Sequence, residues 1–271
     1  MTKEIGIVLS GGGFRGAAHA GLLQALEEKD IKITKVSGSS AGALVGALYC
    51  AGYKPAEILE FFRSNTDLFK FKYLLHGKPG LFDSDLEKEI FREWLDDRTF
   101  ESLEKELYIC VTDILNGRTH FFSKGDLIKP LLASAAIPGV FTPVKIDQTY
   151  FSDGGIMNNF PIEPLLGSCD LLLGSYASPK KILVPEEINS IRKVLTRTSN
   201  LALLANSADK FYLCDYIFSP KKLGKYEVLN NERVEEIYQI GYEEGMKILS
   251  KIKDSSDLNS LLHAFEKSGE H

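Results

Sequence analysis

Two glycine- and serine-bearing stretches and one aspartate carry residue types that could do chemistry. Gly38-Ser39-Ser40-Ala41-Gly42 is a G-x-S-x-G pattern centred on Ser40. An apolar, strand-like approach through Ile31, Ile33 and Val36 runs into it, and a helix of small residues, Ala41 to about Cys50, leads away. This is the setting of a nucleophile elbow. The turn leaves no room for side chains beside the serine, so Gly38 and Gly42 supply the clearance and the hydroxyl is lifted above the sheet edge. The helix N-terminus aims free N–H groups and the positive end of its dipole at the same spot. Upstream, Ser10-Gly11-Gly12-Gly13-Phe14-Arg15-Gly16 links the apolar run Ile5 to Leu9 with a helix over about Ala17 to Lys29. The backbone N–H groups of such a loop form an anion-binding concavity. Downstream, Asp153 ends a short aromatic strand and is followed by Gly154 and Gly155, a common place for a functional carboxylate and also an ordinary hairpin signal.

The glycine loop has two competing readings. Gly11-x-Gly13-x-x-Gly16 fits a dinucleotide fingerprint, and the same N–H geometry fits an oxyanion hole. The fingerprint calls for an acidic residue near the end of the second strand, about 20 residues on. The stretch from Lys32 to Ser39 contains no Asp or Glu. No Gly-Lys-Ser/Thr follows the loop, which excludes a P-loop. A glycine loop and a serine elbow on two successive strand-to-helix turns favour the oxyanion reading.

The base that would activate Ser40 is sought among five histidines, His19, His76, His120, His263 and His271, and Asp153. In elbow hydrolases the order is serine, acid, histidine. Only His263 and His271 follow Asp153, and neither has a suitable loop context. His19, in the first helix, is expected to be a satisfied, half-buried side chain. A dyad is the simpler reading. A carboxylate with an ordinary pKa of about 3.9 must then be raised by burial and bonded directly to the serine. General-base assistance contributes about 10²- to 10⁴-fold, and one oxyanion donor about 10²- to 10³-fold. Gly12 and Gly13, joined by Ala41, are the expected donors, and an anchoring hydrogen bond to nearby carbonyls is expected of Arg15.

The elements that must position these groups are strands at Ile5 to Leu9, Leu107 to Asp113, Arg118 to Phe122, Tyr150 to Asp153 and Leu171 to Tyr176. Asn116-Gly117 marks a hairpin turn. Helices are expected over Ala56 to Arg63, from Asp83 or Ser84 to Trp94, and over Leu127 to Ala136. Beyond Ser178 the chain reads as mainly helical, with helices over Ile188 to Leu213 and Asn231 to Lys253 and a fraying tail from Ser255.

Gly11-Gly12-Gly13-Phe14-Arg15-Gly16, Gly38-Ser39-Ser40-Ala41-Gly42 and Asp153-Gly154-Gly155, in this order, resemble the signature set of patatin-like phospholipases. Ala133-Ser134-Ala135-Ala136-Ile137-Pro138-Gly139-Val140-Phe141 resembles a further stretch of that family. The resemblance covers about Ile5 to Ser178. It implies a three-layer α/β/α sandwich around a mixed, mainly parallel sheet, with a helical C-terminal extension. It also implies lipid acyl hydrolysis by a Ser-Asp dyad. Ser40 would be the nucleophile and Asp153 the base. The backbone of Gly11, Gly12 and Gly13 would form the oxyanion hole, with Arg15 and Gly16 supporting the loop.

The 271 residues, 44% hydrophobic, suffice for one large α/β domain. A single domain over 1–271 is expected, with the motifs in 5–178 and the extension in 179–271. A net charge of −5 argues against nucleic acid as a partner. No apolar run reaches the roughly 20 residues of a bilayer span, and the N-terminus does not look like a secretory signal. The four cysteines are expected to be buried thiols of a reducing cytoplasm, not a metal site. The sum is a cytoplasmic serine esterase acting on lysophospholipid or phospholipid through an acyl-Ser40 intermediate, with no metal or cofactor. The aromatic stretch Leu68 to Leu81 reads either as core-facing residues of irregular structure or as an apolar lip over the site that meets acyl chains or a membrane surface, which would give peripheral membrane contact. Alternatives are an acyltransferase with the same dyad, or a non-catalytic lipid- or nucleotide-binding module. The oligomeric state is left open.

Overall fold

A computed structural model describes residues 3–65, 85–229 and 232–250. The Leu68 to Leu81 stretch, the cap at Asp83 or Ser84, His76, His263, His271 and the tail lie outside the described residues. In chain order the elements are β1 (Ile5–Leu9), α1 (Ala17–Glu28), β2 (Lys35–Ser39), α2 (Ala41–Cys50), α3 (Pro55–Ser64), α4 (Asp85–Leu95), β3 (Glu106–Asp113), β4 (Arg118–Phe122), α5 (Ile128–Ala135), β5 (Val144–Ile146), β6 (Thr149–Asp153), α6 (Gly155–Asn158), β7 (Leu171–Ser175), α7 (Ile191–Ala208), β8 (Tyr216–Phe218) and α8 (Val234–Leu249).

β1 is apolar throughout because both its faces are covered. Ile5, Ile7 and Leu9 enter the larger core cluster, while Val8 enters a second one with Phe160, Ile162, Leu165, Leu172 and Tyr176. β7 alternates in the same way, with Leu171 and Leu173 in the first cluster and Leu172 in the second. The strands form a mixed, mainly parallel sheet in the order β5-β6-β3-β2-β1-β7-β8, with β4 paired to β3. Helices cover both sides.

Strand β3 decides where the chemistry falls. It is longer than β2, and residues Glu106 to Cys110 pair with β2 in parallel. Residues Val111 to Asp113 pair antiparallel with β6. Since β4 pairs along Ile109 to Asp113, it takes the opposite edge, leaving β2 and β6 end to end on one edge of β3. They point at each other. Ser39 ends β2 opposite Cys110, and Asp153 ends β6 opposite Val111.

One expectation needs correction. Of the strand-like approach to Ser40, only Val36 lies in β2; Ile31 and Ile33 precede it in the connection, Ile33 buried. β2 itself reads Lys-Val-Ser-Gly-Ser and is a strand because it sits between β1 and β3, not because of its own propensity. Past Ser178 the chain is mainly helical, as expected, with one strand that the sequence pattern does not mark: β8 adds a parallel edge strand to β7. A three-residue strand is too short for a period to register. The late helix α8 is an integral part of the core. It packs on α1 so closely that a Cβ on Gly21 would lie 2.0 Å from the Tyr238 carbonyl oxygen, and one on Gly241 2.0 Å from that of Ala18.

Candidate active site

Ser40 follows β2 directly and precedes the first turn of α2. Its φ of 52° and ψ of −124° lie where a non-glycine residue is strained, at about 1–3 kcal/mol. The surroundings hold it there. A Cβ on Gly42 would lie 2.1 Å from the Leu9 carbonyl oxygen, and one on Gly38 2.5 Å from the Gly42 backbone, so the turn closes only with glycine at both positions. The Ser40 N–H donates to Ser134 Oγ (2.8 Å), and the Ser134 hydroxyl donates to the Cys110 carbonyl (2.7 Å).

The Ser40 hydroxyl donates to Asp153 Oδ2 at 2.7 Å. Asp153 Oδ1 accepts the Gly155 N–H (2.7 Å), and its backbone is held by Thr112 Oγ1 on its carbonyl (2.9 Å) and by its own N–H on the Ala136 carbonyl (3.0 Å). Both side chains are buried. Burial pushes the Asp153 carboxyl up to about 6, against the opposing pull of its bonds from Ser40 and Gly155. An ordinary aspartate thereby gains proton affinity close to neutrality without losing its ionised form at pH 7 and above.

The glycine loop packs on the serine, as a Cβ on Gly11 would come within 3.2 Å of the Ser40 Cβ. Its three glycines are not equivalent. The Gly11 N–H donates to the Asn159 carbonyl (3.2 Å), while those of Gly12 and Gly13 have no protein acceptor among the described residues. Gly13 has φ +57°, and a Cβ there would lie 2.2 Å from the Val228 carbonyl oxygen, which also accepts the Phe14 N–H (2.9 Å). Arg15 donates from Nε and Nη2 to the Tyr226 carbonyl at 2.8 and 2.6 Å. The loop is thus clamped by residues more than 200 positions away, which no local pattern could indicate.

His19 is fully buried, not half-buried. Its Nε2 faces the Ser10 carbonyl (2.9 Å), so that nitrogen carries the hydrogen, and Nδ1 accepts from Ser175 Oγ (2.7 Å). Burial lowers it to about 4, so the ring is neutral and both nitrogens are occupied. His120, on β4, packs edge-on against Phe122 and at a tilt against Phe151 of β6. Asp153 is therefore the titratable group in contact with Ser40 among the described residues. The cysteines are free, Cys50 and Cys110 buried and Cys169 and Cys214 partly so. No group of three or more His, Cys, Asp or Glu converges as metal ligands would among the described residues.

Sequence reasoning did not assign roles to three supporting residues. Ser134 lies in the Ala133 to Phe141 stretch, whose pattern gives it no role. Asn159 and Asn206 carried no signal: Asn206 Oδ1 accepts the Asn159 N–H (3.3 Å) and its Nδ2 donates to the Gly155 carbonyl (3.1 Å). Asn206 so links the loop after Asp153 to the residue that holds Gly11.

A serine at a strained strand-to-helix turn, bonded to a buried carboxylate beside free loop N–H groups, on a mixed, mainly parallel sheet with helices on both sides, defines an α/β protein with the geometry of an activated hydroxyl. More narrowly, the chain belongs to the patatin-like phospholipase family, whose model matches residues 7–166. It is 32% identical over 192 residues to an uncharacterized NTE family protein of Mycobacterium tuberculosis, covering 68% of this chain and 53% of that protein. It is 25% identical over 292 residues to lysophospholipase nte1 of Emericella nidulans, covering 94% of this chain and 19% of that protein. The chain thus spans about half the length of the mycobacterial relative and about a fifth of the fungal one. The crystal structure of VipD from Legionella pneumophila shares the fold, with a TM-score of 0.54 at 15% identity over 92% of this chain and 67% of that one.

Proposed function

We propose that this chain hydrolyses acyl esters of lipids, lysophospholipid or phospholipid, through an acyl-Ser40 intermediate. The observation that carries the reading is the 2.7 Å hydrogen bond from Ser40 Oγ to a buried Asp153. As Oγ attacks the acyl carbonyl carbon, its proton passes to Asp153 Oδ2. The negative charge that develops on the carbonyl oxygen is received by the N–H groups of Gly12 and Gly13, supported by the N-terminus of α2 at Ala41. Collapse of the tetrahedral intermediate expels the alcohol, which takes the proton from Asp153. Water then repeats the sequence on the acyl-serine, with Asp153 again the base, and releases the fatty acid and free Ser40. Family membership, and the lysophospholipase among the relatives, support a lipid ester as substrate.

The test is covalent labelling by a fluorophosphonate together with hydrolysis of p-nitrophenyl acyl esters and a lysophospholipid. Wild type should label and turn over; Ser40→Ala should do neither while keeping its fold. Full activity in Ser40→Ala would sink the proposal.

A further inference from the structure

Helix α7 is attached to the protein by its last third. Leu203 and Leu204 are half-buried and Ser207 is buried, whereas the first half, apart from a half-covered Arg197, lies largely open. The attachment is to the site itself. A Cβ on Gly155 would lie 3.1 Å from Leu203 Cδ2, and Asn206 bonds to both Gly155 and Asn159. The neighbouring α6, whose Ile156 and Met157 are also exposed, follows directly on Asp153-Gly154.

The face of α7 turned away from this attachment carries large apolar side chains, with Thr198 among them, whose hydroxyl is bonded to the Val194 and Leu195 carbonyls of the helix itself. At 100° per residue, Ile191, Val194, Leu195 and Leu201 fall within an arc of about 120°, on the side opposite Leu203 and Ser207. Ile191 is 81% exposed and Leu195 61%. The loop leading into the helix continues the apolar exposure, with Ile182 86% exposed, and its charges balance, Lys180 and Lys181 against Glu186 and Glu187, so the net positive charge of the surface comes from the helix. Soluble proteins ordinarily keep such a stripe inward. The charge on the helix is one-signed: Arg192, Lys193 and Arg197 are its charged residues, and it holds no acid, in a chain whose net charge is −5. An apolar stripe on a basic helix with no acidic residue matches a surface that is apolar within and anionic at its boundary.

We infer that α7 and the loop before it form a docking surface for an anionic lipid bilayer, seating the Ser40 site beside the membrane that holds its substrate. This deepens the lipid-ester reading and rests on it. The experiment is co-sedimentation of the full chain with vesicles of phosphatidylcholine, alone or mixed with phosphatidylglycerol, alongside hydrolysis of soluble p-nitrophenyl butyrate. Wild type should partition onto mixed vesicles more strongly than onto neutral ones. Lys193→Gln with Arg197→Gln should weaken binding to mixed vesicles about thirty-fold, at about fivefold per basic residue. Ile191→Ser with Leu195→Ser should weaken it about a hundredfold on the same vesicles. Butyrate hydrolysis should be unchanged in both. Unaltered vesicle binding by either variant, or no partitioning by wild type, overturns the inference. So does a wild-type dimer that Ile191→Ser with Leu195→Ser converts to monomer, because the occupant is then a second copy. Absence of butyrate hydrolysis in a wild type that partitions as expected would strike the esterase reading and leave the surface standing.

Discussion

Asp153→Asn separates what the site does from what it costs. The carboxyl rises from an ordinary 3.8 to about 6 on folding, chiefly through burial. At about 1.4 kcal/mol per tenfold change in proton affinity, that corresponds to about 3 kcal/mol. A group that binds its proton more tightly in the folded state contributes its stability in full below pH about 4 and has lost it once the pH has climbed through about 6. At pH 8 the native protein therefore bears the whole penalty of an ionised buried carboxylate. Asparagine is nearly isosteric, can accept the Gly155 N–H at Oδ1, and is neutral throughout. The variant should be more stable than wild type by about 3 kcal/mol at pH 8, with the gain shrinking through pH 6 and gone near pH 4. Ester hydrolysis should fall almost as far as in Ser40→Ala. Urea unfolding followed by fluorescence of Trp94, the single tryptophan, across this pH range measures the first; p-nitrophenyl ester turnover measures the second. A variant no more stable at pH 8, or one whose gain is the same at pH 5 and pH 8, would refute the reasoning that the site holds its base at the expense of stability.

Other expectations follow from the same geometry. With a neutral soluble ester, kcat/KM should rise about tenfold per pH unit up to about pH 6 and then level off, because the ionised form of Asp153 accepts the proton; a flat profile from pH 5 to 8 would count against an aspartate base. Arg15→Ala removes two charge-assisted bonds to the Tyr226 carbonyl, so it should destabilise the fold by about 1.5–3 kcal/mol and lower kcat more than it raises KM, whereas Arg15→Lys should restore part of both; steady-state kinetics and thermal unfolding would tell. His19→Ala leaves the Ser10 carbonyl and the Ser175 hydroxyl without their buried partner, at about 1–3 kcal/mol, yet the protein that folds should still label with fluorophosphonate; complete loss of labelling in folded protein would make the histidine part of the chemistry. Asn206→Ala should lower kcat with the Asp153 pH midpoint displaced, as Gly155 and Asn159 are both released; an unchanged pH profile would argue that the link is structural only.

Much of this protein is legible in one dimension because its chemistry sits on tight turns. Glycine at 38 and 42 is demanded by backbone lying 2.5 and 2.1 Å from where a Cβ would sit, and such demands leave a mark at fixed spacing. The apolar runs of β1 and β7 announce strands buried on both faces for the same kind of reason. β8 and the polar strand β2 left no such mark, since their strand character comes from neighbours. Nor did the hold of Tyr226 and Val228 on the glycine loop, which uses backbone carbonyls that any residue would supply.

What the residues alone determine is an inventory: an elbow serine, a loop of N–H donors and an aspartate freed by glycines, 113 positions from Ser40. What only the tertiary structure decides is that they meet. β3 exceeds β2 in length, and its free edge beyond Cys110 takes β6 in the opposite direction. Two strand ends therefore point at one another across a single register step, which brings the Ser40 hydroxyl to 2.7 Å from Asp153. The same packing removes water from the carboxylate and so raises its proton affinity, a property that belongs to the burial and not to the residue.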